Sequence, residues 1–425
     1  MKKFDARKLP REAQDEIRRQ AMRMREELKL PKIPVSCWYQ KNMKVSQLSQ
    51  PNRILLILPD AAIGGGHTMN LRLADELARR GWVVDVVFLF NRHKITTHAA
   101  SYPKLRLIQM HADNRIRRLL LPMRLARMAQ SYDLVLAGLD LAATNYGYLA
   151  ARLAGKPFVS WMHTAFSEHA RTFSRLSRAI SLWIYRRVPN IVFPSIGSLN
   201  SLSRALKDKR PAMAWHVIEN FHGTESDDQN KVMDASVPKF ICTHPIVLSI
   251  GRLSEPKAYD RLIRIHAQLL QRGIAHHLVI LGEGPERPKL EALAAQLNVS
   301  DTFFLPGHVT NPRAWFAASS VFALCSRYEG LPLVLIEALQ SGTAVASMDC
   351  PAGPREILDD GECGLLVPPG DEDALADAIA HLLRDPALRA SIGERGKLRA
   401  RIYEPSAIIP RWEELLGSLI STGSS

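Results

Sequence analysis

Two carboxylates, Glu329 and Glu337, stand eight positions apart in Arg327-Tyr-Glu-Gly-Leu-Pro-Leu-Val-Leu-Ile-Glu337 and flank the start of a predicted helix. Glu329 falls in the loop after the apolar run Val321 to Leu324. Pro332 suits a first helical turn, where its missing N–H costs nothing. Glu337 is expected two turns inside the helix, which reads Leu333-Val-Leu-Ile336 and is apolar nearly all round. A charge buried there is expensive unless a polar group answers it. A carboxylate offers two acceptor oxygens at the separation of a vicinal diol, so the pair suits a sugar-nucleotide pocket.

Two cations, Arg252 and Lys257, lie five apart in Ser249-Ile-Gly-Arg-Leu-Ser-Glu-Pro-Lys257, at a strand-to-helix turn of the kind where ligands of open α/β sheets collect. Fixed cations suit a diphosphate whose charge grows as a bond to it breaks. At ~1.5 to 3 kcal/mol for each charge-assisted contact, the pair could supply roughly a thousandfold in rate. The glycine run with Gly65 and Gly66 follows another apolar stretch and would let a backbone approach a phosphate or sugar closely. It lacks the Gly-x-Gly-x-x-Gly spacing of a nicotinamide site. Asp359-Asp-Gly and Asp371-Glu-Asp are acidic, but acids at a helix start, here the one expected from Ala374, answer the helix dipole, so capping is the better reading and no motif demands a metal.

The elements that must carry these residues alternate. Arg53 to Leu58 is a short apolar run suited to a buried parallel strand. The glycine loop follows, then a helix from Met69 to Arg80, then Val83 to Phe88. Further strands are expected at Leu134 to Leu136, Phe158 to Trp161, Ile191 to Pro194 and Ala214 to Ile218. Between 223 and 245 the chain turns polar and reads as an interdomain linker. A second series starts with Ile246 to Gly251 and continues through His277 to Pro285, Thr302 to Gly307 and Val321 to Leu324 to Gly364-Leu-Leu-Val367. Repeated βα alternation implies α/β domains with parallel sheets covered on both faces.

Bulk composition agrees with this. The 425 residues allow two or three domains, and 46% hydrophobic with 23% charged residues is ordinary for a globular chain. Five scattered cysteines without Cys-x-x-Cys fit a reducing cytosol. The start has no apolar signal-like stretch, and no uncharged apolar run of 18 residues occurs. The formal charge of +14 asks for an anionic partner, and residues 1–50 hold half of it, with 13 Lys/Arg against 6 Asp/Glu. That segment, with a polar helix expected over Arg11 to Leu30, reads as a basic extension with a solvated surface. Arg115 to Met128 and Arg171 to Arg187 interleave arginines with leucines, Trp183 and Tyr185, a pattern that fits either an amphipathic core helix or docking on an anionic membrane.

The two-glutamate segment, with Cys350-Pro-Ala-Gly-Pro-Arg-Glu-Ile-Leu358 after it, resembles the Glu-x7-Glu signature of retaining glycosyltransferase family 4, and the resemblance runs in order from about Ile54 to about Leu416. It implies a GT-B architecture: two doubly wound Rossmann-like domains facing a cleft and a C-terminal helix crossing back to the first. The domains would be an acceptor-side unit at 51–222, a linker at 223–245, a nucleotide-sugar unit at 246–403 and a crossover helix and tail at 404–425. The resemblance places Glu329 near the reacting centre, Glu337 on the ribose, and Arg252 and Lys257 on the leaving diphosphate. His163, at the end of a strand, matches a histidine that reaches the donor sugar. Gly251, Gly330 and Leu331 belong to the same motifs, while Glu283 and Val309 fall in loops that line the nucleotide side. His67 departs from an acidic version of the first-domain loop.

The implied activity is transfer of a sugar from a nucleoside-diphosphate sugar to a glycan or lipid-linked hydroxyl, with retention, in polysaccharide, lipopolysaccharide or glycoprotein assembly. No cofactor is required beyond that donor. The expected location is cytoplasmic, peripheral at the inner membrane face, with nucleic acid disfavoured as a partner. The alternatives are a sugar-nucleotide epimerase of the same shape, which needs no acceptor, and a binding protein acting through its basic extension.

Overall fold

The computed structural model describes residues 51–62, 64–91, 93, 101–139, 141–166, 174–207, 214–223, 237–238, 243–309 and 312–423. The expected helix over Arg11 to Leu30 and most of the expected linker lie outside them. Apolar runs too short for helices become two parallel sheets. The first contains β1 (Arg53–Leu58), β2 (Val83–Phe88), β3 (Arg106–Gln109), β4 (Leu134–Ala137), β5 (Phe158–Trp161), β6 (Asn190–Phe193) and β7 (Ala214–Val217), in the order β3-β2-β1-β4-β5-β6-β7. The second contains β8 (Ile246–Ile250), β9 (His277–Leu281), β10 (Phe303–Gly307), β11 (Val321–Leu324), β12 (Ala344–Met348) and β13 (Leu365–Val367), in the order β10-β9-β8-β11-β12-β13.

Helices cover both faces. In chain order they are α1 (Gly65–Arg79), α2 (Arg115–Ala129), α3 (Ala142–Ala154), α4 (Arg175–Tyr185), α5 (Ile196–Ala205), α6 (Tyr259–Gln271), α7 (Arg287–Gln296), α8 (Arg313–Ala318), α9 (Leu333–Ser341), α10 (Pro354–Ile357), α11 (Glu372–Arg384), α12 (Pro386–Ala400) and α13 (Pro405–Gly423). In the first sheet, Leu55, Ile57, Val135 and Ile191 meet α2 to α5 on one face. Ile54, Leu56, Leu136 and Val159 meet α1 and α13 on the other. Strands buried on both sides must be apolar throughout, which is why β1 and β4 show no polar alternation.

Two helix starts and two strands are the main differences from the sequence reading. Helix α1 begins at Gly65 inside the glycine run, four residues early, because that run provides its first turn. Pro332 caps α9 from outside, with ψ at 102°, so the helix starts one residue later. Glu337 is consequently the fifth helical residue, little more than one turn in. Strands β3 and β12 were not anticipated. The first is an edge strand with Arg106 exposed, and the second, Ala-Val-Ala-Ser-Met, is mostly small residues of weak strand propensity that fit a fully buried position between two neighbouring strands.

The last helix packs on the first sheet. Trp412 of α13 meets Trp161 of β5 edge to face, with ring centroids 4.7 Å apart, and Ile409 and Leu416 are wholly buried beside it. Both sheets reverse strand order between neighbouring strands, β1 with β4 and β8 with β11, and open α/β sheets bind ligands outside the carboxyl ends of strands at such points.

Candidate active site

The carboxyl ends of β8 and β11 lie side by side. After β8 the chain runs through Gly251 and Arg252 into a short turn, Glu255–Lys257, and then α6. After β11 it runs through Cys325 and Ser326 to Glu329. The two loops meet: Lys257 Nζ donates to Glu329 Oε1 at 2.6 Å, and Ser326 Oγ donates to the same oxygen at 2.6 Å. The ion pair is half-sheltered, with the lysine side chain 21% exposed and the glutamate 12%. Glu329 therefore belongs to a polar cluster, not to a water-exposed loop. Arg252, one residue beyond Gly251, is exposed and makes no ion pair with the described residues.

Glycines let these loops touch. A Cβ on Gly282 would overlap the Gly251 carbonyl, and one on Gly284 would overlap the Leu253 carbonyl. A Cβ on Gly251 would lie 2.7 Å from Tyr259 Oη and 3.3 Å from Lys257 Cε, so Gly251 leaves room for the lysine stem. Tyr259 and Cys325 form the floor. Burial pushes the tyrosine well above its usual range and the Cys325 thiol up to about 12, so both stay neutral beneath the ion pair.

The first domain closes over this cluster through His163. A Cβ on Gly330 would overlap the His163 carbonyl oxygen, so the two domains meet backbone to backbone next to Glu329. Gly66 lies against the His163 side chain, 3.5 Å from its Cβ by the same measure, and Gly65 is 3.8 Å from Leu333 Cδ1 at the start of α9. The His163 ring stacks on Trp161 at 4.3 Å, and its Nε2 lies 3.0 Å from Asn70 Nδ2. The Asn70 amide also donates to the carbonyls of Gly66 and Gly138, tying the glycine loop to the histidine. Burial, with a smaller push from His67, lowers His163 to about 3, so its imidazole is neutral at physiological pH. Asp60, at the end of β1, pairs with His67 at 3.3 Å, which holds its carboxyl below the usual range.

Gly65, Gly66, His163, Gly330, Glu329, Lys257 and Gly251 thus form one line of contacts across the two domains, with Arg252 beside it and Leu331 buried behind it. The remaining sequence candidates are Glu337, Glu283 and Val309. Glu337 is half-buried, not enclosed, in α9. The Glu283 carboxylate is exposed and held by Arg287 through two contacts at 2.8 and 3.0 Å, and the backbone carbonyl of Glu283 anchors Leu253 at 2.9 Å. Val309 packs against the second core as a partly buried side chain. Asp371 caps α11 by accepting from Ala374 N at 2.9 Å, whereas Asp360 pairs with Arg355. Among the described residues, no three His, Cys, Asp or Glu side chains group as a metal site. Asn70, Ser326 and Asp60 were missed in the sequence; Asn70, an amide between Met69 and Leu71 on the buried side of an amphipathic helix, was the detectable signal.

Comparison with known proteins bears on the same segments. Residues 237–399 match the family model described as "Glycosyl transferases group 1", and residues 63–223 match "Glycosyltransferase Family 4". The chain is 31% identical over 274 residues to the N-acetylgalactosamine-N,N'-diacetylbacillosaminyl-diphospho-undecaprenol 4-alpha-N-acetylgalactosaminyltransferase of Campylobacter jejuni, covering 61% of this chain and 70% of that protein. It is 29% identical over 281 residues to the alpha-D-kanosaminyltransferase of Streptomyces kanamyceticus, covering 63% and 72%. In structure it resembles Anabaena Alr3699/HepE, crystallised in complex with UDP and glucose, with a TM-score of 0.73 at 19% identity, over 86% of this chain and all of that one. With the two doubly wound sheets and the seam of contacts between them, these similarities establish that the chain belongs to the GT-B glycosyltransferases.

Proposed function

We infer that this glycosyltransferase takes a nucleoside-diphosphate sugar as donor and transfers the sugar, with retention, to a hydroxyl of a glycan or lipid-linked acceptor in cell-surface polysaccharide or glycoconjugate assembly. The observation that carries the reading is the Lys257–Glu329 pair at 2.6 Å, with the exposed Arg252, which makes no ion pair among the described residues, on the same loop, at the point where strand order reverses. The bond from the anomeric carbon to the leaving phosphate oxygen breaks, the acceptor oxygen takes its place, and the hydroxyl proton leaves with the departing phosphate. Arg252 and Lys257 answer the charge that grows on the diphosphate, so no metal is called on to do so. Glu329 orients the donor sugar, Glu337 takes the ribose diol, and the neutral His163 donates to or accepts from a sugar hydroxyl.

In this reading residues 51–222 serve the acceptor, 246–403 hold the nucleotide sugar, and 404–425 return to the first domain. The names of the relatives support it: one acts on a diphospho-undecaprenol-linked glycan, and Alr3699/HepE was crystallised with UDP and glucose.

The enzyme sits at the inner face of the membrane through the outward surface of α2, α3 and α4. Those helices carry eight arginines and no Asp or Glu. With the excess of seven in residues 1–50, this leaves all the rest of the chain at a net charge of −1. Interleaved with the arginines, Ile116 (72% exposed), Leu119 (76%), Leu176 (72%) and Trp183 face outward. Cations alternating with exposed leucines and a tryptophan fit the headgroup boundary of an anionic bilayer. No described helix is long and apolar enough to cross a membrane.

The test is product analysis with a panel of UDP-, GDP- and ADP-sugars, first located by thermal shift. Acceptor-dependent release of nucleoside diphosphate that falls in Glu329→Ala and Arg252→Ala, with the fold intact, is the expected result. Epimerised sugar nucleotide formed from donor alone, or full turnover in either variant, would overturn the reading.

A further inference from the structure

The seam beside Glu329 is built by residues that have been given no role so far. Helix α5 starts at Ile196, and its cap, Ser195, is wholly buried. Ser195 Oγ accepts from Ser198 N at 3.1 Å, as a helix cap does. Its hydroxyl also reaches across to the second domain and donates to the Gly330 carbonyl oxygen at 2.9 Å, and Ser198 Oγ lies 3.3 Å from the same oxygen. Gly330 is the residue after Glu329.

The next two donors of the same helix end face the second domain as well. Ile196 N and Gly197 N donate to Glu356 Oε2 and Oε1 at 2.7 and 2.9 Å. A carboxylate bridging two free N–H groups at the positive end of a helix meets both a hydrogen-bonding and a charge requirement. The approach leaves no room for side chains. A Cβ on Gly197 would lie 2.5 Å from Ala352 Cα, and one on Gly330 would strike the His163 carbonyl.

Glu329 is therefore seated from two sides. Its carboxylate is held within its own domain by Lys257 and Ser326, while the carbonyl of the next residue, Gly330, in the peptide that joins it to Leu331, is held from the first domain by two hydroxyls. With the Gly330 carbonyl fixed one residue away and the Glu329 carboxylate fixed at Lys257, the short stretch between them is anchored at both ends, so the direction in which the Glu329 side chain leaves the backbone depends on the opposite domain. We propose that Ser195, Ser198 and Glu356 are positioning residues, which make the catalytic placement of Glu329 conditional on contact between the two domains. The proposal rests on the reading that Glu329 acts on the donor sugar.

The experiment uses the full chain and the variants Ser195→Ala/Ser198→Ala, Ser195→Thr, Glu356→Gln and Glu329→Ala, each first checked for cooperative thermal unfolding. Hydrogen exchange, which needs no substrate, reads the peptide covering Ser326 to Leu331 and the amides of Ile196 and Gly197. Exchange is expected to rise at least tenfold at Ser326 to Leu331 in the double-serine variant, and at Ile196 and Gly197 in Glu356→Gln. With the most active donor of the panel, kcat is expected to fall at least tenfold in both, while the KM for donor changes less than threefold. Ser195→Thr, which keeps the hydroxyl, should recover most of the turnover. Wild-type exchange in folded variants overturns the clamp, and so does wild-type kcat. If the double-serine variant does not fold, Glu356→Gln alone decides, because it preserves side-chain size and the Ser195 cap. Glu329→Ala separates the two claims: full activity there removes the underlying reading, whereas its inactivity beside fully active clamp variants removes only the clamp.

Discussion

At the residue scale the site depends on a few polar atoms whose partners are known. Removing Arg252 takes away an exposed cation that makes no internal ion pair among the described residues, so stability should hardly move while the transition state loses one charge-assisted contact. Arg252→Ala is expected to lower kcat/KM roughly 10- to 150-fold, the equivalent of ~1.5 to 3 kcal/mol, with Tm unchanged. Steady-state kinetics beside a melting curve checks both halves. Because basic side chains carry the leaving charge in this reading, turnover should survive prolonged EDTA treatment, and a loss restored only by added divalent ion would count against it. His163 is held neutral down to about pH 3 by burial, so any change in rate between pH 5 and 8 must come from another group. His163→Gln, which keeps a neutral hydrogen-bonding side chain, should lower the rate without altering the shape of the pH profile.

Elements set how firmly those residues are held. Trp412 is buried at 0% exposure against Trp161, directly beneath the strand end that presents His163. Trp412→Ala should destabilise the protein by ~3 to 5 kcal/mol, the range for large-to-small changes at buried aromatics, and should detach α13 from the first sheet. Denaturant unfolding with tryptophan fluorescence measures it, and a change below ~1 kcal/mol would refute the packing role. In the second domain His266 Nδ1 and His276 Nε2 lie 2.8 Å apart in a buried site. Burial, then repulsion from His276, lowers His266 to about 3 from 6.5, and burial also lowers His276. The unfolded chain takes up these protons near pH 6.5 while the native state refuses them, so stability is complete above that pH and is lost as pH falls toward 3. Tm should already decline between pH 6.5 and 5, where carboxylates titrate little, and the slope should flatten in His276→Gln. An unchanged slope in that variant would place the sensitivity elsewhere.

For the whole molecule, charge distribution is the organising quantity. Arginines gather on α2 to α4, on the face of the first sheet opposite to α1 and α13. The full chain should sediment with vesicles containing anionic lipid, weaken as salt rises and ignore neutral vesicles. Replacing Leu119, Leu176 and Trp183 together by Ser should reduce vesicle binding at least tenfold while leaving release of nucleoside diphosphate to a water-soluble acceptor unaltered. Binding to nucleic acid or to an acidic protein in preference to vesicles would assign the surface to a different partner.

How much was legible in advance depends on the range of the interaction involved. β1, β2, β5 and β11 stand in the chain as apolar runs flanked by glycine or polar residues, and their limits agree with the structure. The two-sheet architecture followed from their alternation with helices, since a strand buried on both faces must be apolar along its length. Residues 1–50 lie outside the described part. Edge strand β3 and the small-residue strand β12 were not visible, because their strand character comes from neighbours and not from their own side chains.

Glu329, Lys257, Arg252 and Gly330 were marked by residue type and spacing, which local chemistry dictates. That Lys257 meets the Glu329 carboxylate, that Asn70 binds the glycine loop to His163, and that Ser195 and Glu356 fasten the two domains beside them could only be decided by tertiary structure. These partners are separated by 72 to 160 positions. No periodicity reaches that far. The pairing of strands within each sheet, and for Ser195 and Glu356 the contact between the two domains, bring such atoms within 3 Å.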